Sequence, residues 1–290
     1  MKRLLFFAIA VSLALTVFGF PVQAQKALPT VIVYSQLFLI SLNEKGSFFK
    51  PVMFEFPEDE NSYEDIESKV MIGEAFLLCA FYEINEKDKE FILPNVTFNK
   101  YPLGKTIIDK NDKEKNNKIT LSGKLDEIHL FLREGFIVPR QNTFDKYILN
   151  TKKLREEKLD LIINVDKDKK SKGVIFYDND DINTINENKY YRVEMDYDGN
   201  KLTISTFKNN LINYNYNDHI LGSIELWNVG FVYNEITKDN KCEIEIDLIN
   251  GKKYIDGQYD SDNDKIIFNI QEKEKDISLF DIKTIIFNFK

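Results

Sequence analysis

The stretch Arg192 to Thr206, RVEMDYDGNKLTIST, decides the fold. On either side of its centre, apolar and polar residues take turns, and a period of two sends alternate side chains to opposite faces of a strand. At the centre lies Asp198-Gly199-Asn200, which carries the turn chemistry of a tight antiparallel hairpin. A hairpin with one buried face is predicted here.

Working outward, Cys242 to Ile249 and Lys252 to Ile255 flank Asn250-Gly251, a second hairpin signal of the same kind. Asp264 to Ile270 and Ser278 to Phe289 supply closing strands. Turn signals recurring among alternating strands predict a distal β-sandwich over residues 171–290. Before it, Ile128, Leu130 and Leu132 point one way while His129, Phe131 and Arg133 point the other, which predicts a proximal sandwich over residues 89–170. One face of that sheet is expected to be buried, with His129 on the outward side. Lys105 to Lys118 is almost wholly polar and reads as a mobile loop.

Towards the start the character changes. Phe48 to Phe56 (FFKPVMFEF) and Ala75 to Phe81 (AFLLCAF) are nearly continuous apolar runs, as expected of parallel strands buried under helices. Between them Pro57 to Ser68 reads as a solvated acidic loop, and Ala27 to Gly46 reads as a helix that is apolar on nearly every side. Residues 25–88 therefore look like the tail of a βα array. Residues 1–24 read as a targeting segment: Lys2 and Arg3, an apolar run from Leu4 to Phe20, then Val22-Gln23-Ala24 in the pattern of a cleavage site. The alternative is an uncleaved membrane anchor, since the run is close to the ~18 apolar residues that span a bilayer. A secretory or extracellular location is expected.

A net charge of −8 with interspersed signs leaves no basic stripe for nucleic acid. The two cysteines, Cys79 and Cys242, are read as free, buried thiols. Glu58-Asp59-Glu60 reads as solvated loop. Glu55 and Glu74 sit at or beside apolar strands, where a carboxylate needs a partner; each is read as paired with a lysine or a backbone amide, with a pocket residue as the alternative. Asp260-x-Asp262-x-Asp264 opens like a calcium loop, but Lys265 and Gln271 stand where glycine and glutamate belong. It reads as a hairpin turn, as does Asp178 to Asp181. His129 and His219 have no cysteine close in sequence to complete a zinc set, so no metal or cofactor is expected. Asn95-Val96-Thr97 is an N-glycosylation acceptor by pattern.

Four motifs, in order, carry a family resemblance. Lys50 to Asp59 (KPVMFEFPED), Gly73-Glu74-Ala75-Phe76-Leu77, Leu125 to Gln141 (LDEIHLFLREGFIVPRQ) and Lys172 to Asp181 (KGVIFYDNDD) resemble the C-terminal portion of glycoside hydrolase family 31, the α-glucosidase family. In the last motif Tyr177 stands for a tryptophan and Asp180 for a glycine. The fold this implies is mainly β: two antiparallel β-sandwich domains after an incomplete (β/α)8 barrel remnant. A whole barrel takes ~250 residues, and only about 60 precede the first sandwich. The resemblance also implies retaining hydrolysis of α-glucosides by two aspartates. Neither catalytic motif occurs in this chain, so no catalytic or substrate-binding residue is assigned to it. The expected function is a C-terminal fragment of an α-glucosidase-like hydrolase, inactive alone. Its expected partners are carbohydrate, a chain supplying the rest of the barrel, and further copies of itself through exposed barrel strands. The rival reading is a non-catalytic sandwich protein binding carbohydrate or a partner protein, for which Tyr190-Tyr191 and Tyr214-x-Tyr216 are the candidate aromatics.

Overall fold

Gly73 holds a φ of +61°, a left-handed value that costs glycine little, and turns the chain back on itself between Lys69–Ile72 and Phe76–Cys79. Their register, Ile72 opposite Phe76 and Lys69 opposite Cys79, is that of an antiparallel hairpin. The computed structural model describes residues 47–81, 88–108, 117–124, 127–141, 153–154, 156–178, 190–208, 219–232, 241–274 and 277–289. The targeting segment, the helix expected over Ala27 to Gly46, most of the polar Lys105 to Lys118 stretch, Asn179 to Asp181 and Tyr214-x-Tyr216 lie outside these residues.

Two compact units result, one holding Lys45–Leu103 and Ile107–Arg133, the other Gly104–Thr106 and Glu134–Lys290. Strands β1 (Phe49–Pro51), β2 (Lys69–Ile72), β3 (Phe76–Cys79), β4 (Asp88–Ile92), β5 (Phe98–Lys100), β6 (Thr106–Ile108), β7 (Lys118–Ser122) and β8 (His129–Arg133) come first. Six of them form a sheet in the order β1-β2-β3-β8-β5-β6, and β4 pairs separately with β7. The pairs β1–β2, β2–β3, β3–β8 and β5–β8 are all antiparallel. The parallel pairing expected of the two apolar runs is thus corrected: the Gly73 turn folds Lys69–Ile72 in between them as an antiparallel partner. The run Phe48 to Phe56 is not one strand either. It ends as a strand at Pro51, whose ring fixes φ, and continues as the helical turn Val52–Glu55.

Strand β3 is buried at every position and hydrogen-bonded on both sides, by β2 and β8. The expected self-association through an exposed Ala75 to Phe81 edge therefore meets no free edge at β3. Strand β8 is buried on both faces too, since Leu130, Phe131 and Leu132 are 1% exposed or less. His129, expected outward, is likewise buried, with Nε2 2.7 Å from the carbonyl of Ser122. An interior strand covered on both sides leaves a polar residue no solvent face. Phe131 packs with Val52, Phe56, Met71, Leu77, Cys79, Phe91 and Phe98. Each such side chain removed from water contributes about 1.5–3 kcal/mol.

The second unit is one eleven-stranded sheet. Its strands are β9 (Phe136–Gln141), β10 (Leu159–Asn164), β11 (Lys170–Asp178), β12 (Tyr190–Asp198), β13 (Lys201–Lys208), β14 (Leu221–Trp227), β15 (Cys242–Leu248), β16 (Gly251–Asp256), β17 (Gln258–Asp260), β18 (Lys265–Asn269) and β19 (Ile282–Phe289). They run in the order β16-β15-β19-β13-β12-β11-β9-β10-β14-β18-β17. Most neighbours are antiparallel, but β10 pairs parallel with β14, and β9 with β11. The division between units falls at Arg133 and Glu134, so β9 and β10 lie in the sheet of the second unit rather than with β8. Gly135, at φ +82°, is where the chain changes sheets: its N–H donates to Asn164 and its carbonyl accepts from Lys172.

The hairpin read at Asp198-Gly199-Asn200 forms between β12 and β13, with Asp198 opposite Lys201 and Gly199 at φ +68°. Between β15 and β16 the turn residues are Ile249-Asn250, one place earlier than read, because Leu248 faces Gly251. Alternation holds along these strands: Val193, Met195, Tyr197, Leu202, Ile204, Ile244, Ile246, Ile285 and Phe287 all join one core. Tyr197 and Phe268 each meet the Phe287 ring edge-on, at 5.3 and 5.6 Å. Strands β16 and β17 stand at opposite ends of the sheet, yet Gly257 alone separates them in sequence.

Candidate functional site

In the first unit, Glu55 accepts from Arg133 Nη1 at 2.8 Å and also pairs with Lys50. The Arg133 guanidinium lies 4.6 Å from the centre of the Phe56 ring, adding a cation–π contact. Glu55 is therefore a paired carboxylate, held between two cations. Glu74 is exposed in the β2–β3 turn. Asn95 is exposed, and its backbone N–H donates to Asp59 Oδ2 at 2.5 Å. Asp59 also caps the 3-10 turn Glu60–Tyr63 by accepting from Asn61 N–H. Lys69, 1% exposed, donates to the carbonyls of Asn61 and Ile92, while burial lowers its pKa.

In the second unit, the Asp260 to Asp264 stretch is the turn between β17 and β18. Asp260 accepts from the backbone of Asp262 and Asn263 and from the Asn263 side chain at 2.8 Å, and Asp264 accepts from Gly230 N–H and the Tyr259 hydroxyl. These carboxylates are engaged by the turn itself. His219 is buried against the Phe280 ring. Both cysteines are buried thiols, as read.

A charged cluster that was not read from the sequence spans four adjacent strands, β9, β10, β14 and β18. Arg140 Nη2 donates to Asp160 Oδ2 at 3.0 Å and to Glu225 Oε1 at 2.6 Å. Glu225 Oε2 accepts in addition from Trp227 Nε1 at 2.9 Å and from Lys265 Nζ at 3.1 Å. The pairing explains the assembly: Asp160 lies opposite Arg140, and Trp227 opposite Lys265. Asp160 and Glu225 interrupt otherwise apolar strands, Leu-Asp-Leu-Ile-Ile and Ile-Glu-Leu-Trp. A charge on a buried strand needs a partner, and that signal could have pointed to the cluster.

The two carboxylates respond differently to the same guanidinium. For Glu225, Arg140 and Lys265 together outweigh the burial, so its pKa falls below 4.5. For Asp160 burial wins over Arg140, and its pKa rises above 3.8. Among the described residues, no group of three or more His, Cys, Asp or Glu could hold a metal ion. Chemically the arrangement fastens strands to one another, since its carboxylates face cations.

The chain is mostly β, and its buried Asp160 and Glu225 are committed to ion pairs. Residues 45–138 match the Glycosyl hydrolase family 31 C-terminal domain, and the chain resembles the C-terminal portion of that family's members. It is 24% identical over 254 residues to probable maltase-glucoamylase 2 of Homo sapiens, covering 86% of this chain and 9% of that protein. It is 26% identical over 198 residues to intestinal sucrase-isomaltase of Homo sapiens, covering 68% of this chain and 10% of that protein. The crystal structure of the glucosidase II alpha subunit shares the fold, with a TM-score of 0.75 and 14% identity over 92% of this chain and 28% of that one. The chain thus spans about a tenth of the length of those two relatives.

Proposed function

We propose that this chain serves as the C-terminal β portion of an α-glucosidase-type glycoside hydrolase and does not itself supply the carboxylates that break the glycosidic bond. The observation that carries this reading is the match of residues 45–138 to the family's C-terminal domain. Retention needs two carboxyl groups about 5–5.5 Å apart across the anomeric carbon, one attacking and one protonating the leaving oxygen. Glu225, which is buried, and Glu55, which is half-buried, are each tied to several donors and are unsuited to either role because cations hold them.

The relatives' names, maltase-glucoamylase and sucrase-isomaltase, support an α-linked glucoside as the substrate class of the complete enzyme. This reading calls for a catalytic barrel from other sequence, in the same polypeptide or in a partner chain. Lys2, Arg3, the apolar run and Val22-Gln23-Ala24 support entry into the secretory route. There Asn95, exposed and followed by Val96 and Thr97, is the residue for an N-linked glycan. The test is incubation of the purified chain with a chromogenic α-glucoside, where no turnover above buffer is expected. Turnover that is abolished by substituting one of the chain's own carboxylates overturns the proposal. An endoglycosidase-sensitive mass shift that Asn95→Gln removes is expected of protein secreted from a eukaryotic host.

A further inference from the structure

The Arg140 cluster distributes its donors unequally. Glu225 receives three, from Arg140, Trp227 and Lys265, whereas Asp160 has Arg140 as its one cationic donor, on Oδ2. Asp160 Oδ1 is fully buried and has no hydrogen-bond partner. The backbone of Gly222 lies against it, so close that a Cβ at that position would stand 2.6 Å from Oδ1 and 3.4 Å from Lys158 Cβ. The Ser223 hydroxyl acts on Asp160 as a weak hydrogen-bonding neighbour that favours its charged form, but it does not reach hydrogen-bond geometry at Oδ1.

Two charged groups bear on Asp160 directly, Arg140 from β9 and Glu225 from β14, and Lys265 on β18 acts through Glu225. Arg140 is shared, and Lys265 is spent on Glu225. A carboxylate oxygen that is buried without a donor carries a desolvation penalty that a proton removes. We propose that Asp160 takes up a proton in the folded protein at a higher pH than an exposed aspartate does, and that this makes the eleven-stranded sheet hold more tightly in its protonated form than at neutral pH. The site is a proton-operated clamp on β9, β10 and β14.

The sign follows from linkage. A carboxyl that binds its proton more strongly folded than unfolded adds stability at low pH, and that stability is lost as pH rises through the folded value. Burial raises the Asp160 pKa above 3.8, in keeping with this direction. Asparagine mimics the protonated form, keeping an oxygen for Arg140 without the charge.

Trp227, the chain's single tryptophan, hydrogen-bonds within the cluster, so its fluorescence reports on this sheet in the full-length protein. Thermal unfolding of the wild type and Asp160→Asn is followed by that fluorescence at about pH 7.5 and about pH 5.5. The wild-type midpoint is expected to rise on acidification. Asp160→Asn is expected to unfold at or above the wild-type temperature at the higher pH and to rise less on acidification. Glu225→Gln, which strips the charge from three donors, should instead be less stable than wild type at the higher pH. A lower midpoint for Asp160→Asn at the higher pH, its failure to fold, or a rise equal to that of the wild type overturns the proposal. So does a Glu225→Gln variant that behaves as Asp160→Asn is expected to.

Discussion

Arg133 reaches back 78 residues to Glu55, its Nη1 2.8 Å from Oε1, and ties β8 to the helical turn that follows β1. Both side chains are mostly covered, at 23% and 17% exposure. Glu55→Ala leaves Arg133 and Lys50 facing each other without their carboxylate. A loss of about 1–3 kcal/mol is expected in urea unfolding, with a smaller loss for Glu55→Gln, which still accepts a hydrogen bond.

Arg140→Ala should cost more. It leaves the buried Asp160 without its cation beside Glu225, which keeps Lys265 and Trp227, and breaking a buried pair from one side typically costs about 3–5 kcal/mol. Denaturant unfolding followed at Trp227 reads this directly. A loss under about 1 kcal/mol, the range of exposed pairs, means the cluster is wetter than its burial indicates.

Acid should act on Glu225 in the opposite sense to Asp160. Its folded pKa lies below the ordinary 4.5, so its contribution is complete above that value and is lost as pH falls through the lower folded value. Unfolding midpoints measured on the acid side are expected to fall steeply in the wild type and more gently in Glu225→Gln.

Gly173 lets β11 approach β9. A Cβ there would stand 2.2 Å from the carbonyl oxygen of Ile137, and that atom belongs to the backbone. Gly173→Ala must therefore separate the strands, at a cost of about 1–3 kcal/mol or more. Calorimetry checks it, and a melting temperature equal to wild type contradicts the close approach.

Cys79 and Cys242 should be silent to a thiol reagent in the native protein. Burial raises the pKa of both and keeps the reagent from the thiolate it needs. Titration with an Ellman-type reagent should find both thiols only in denaturant.

The sequence was most legible where local chemistry decides the structure. Gly199 and the alternation on either side of it gave β12 and β13 with their inward faces. The family's C-terminal portion was legible from ordered motifs, Lys50 to Asp59 and Leu125 to Gln141 among them. Pairing was less legible, because an apolar run such as Phe76–Cys79 suits an antiparallel interior strand as well as a parallel one. Its direction rested on the Gly73 turn. The sheet change at Gly135 was hidden because a strand-glycine-strand pattern looks the same whether the second strand returns on the first or joins another sheet. The Arg140 cluster needed contacts between residues up to 85 apart, which no window along the chain contains.

Gly257 carries a consequence of its own. Because this one residue links β16 to β17, the two ends of the eleven-stranded order are covalently tethered, and the chain passes beneath Phe268 and Ile266, which a Cβ would meet at 2.5 and 2.6 Å. Consecutive Cα atoms are about 3.8 Å apart, so Asp256 and Gln258 cannot drift from each other while the peptide is intact. The two terminal strands are therefore anchored to each other at the Gly257 corner, which keeps the adjoining ends of the two rims together. A nick at Gly257 would release them as two independent borders, each free to move without the other.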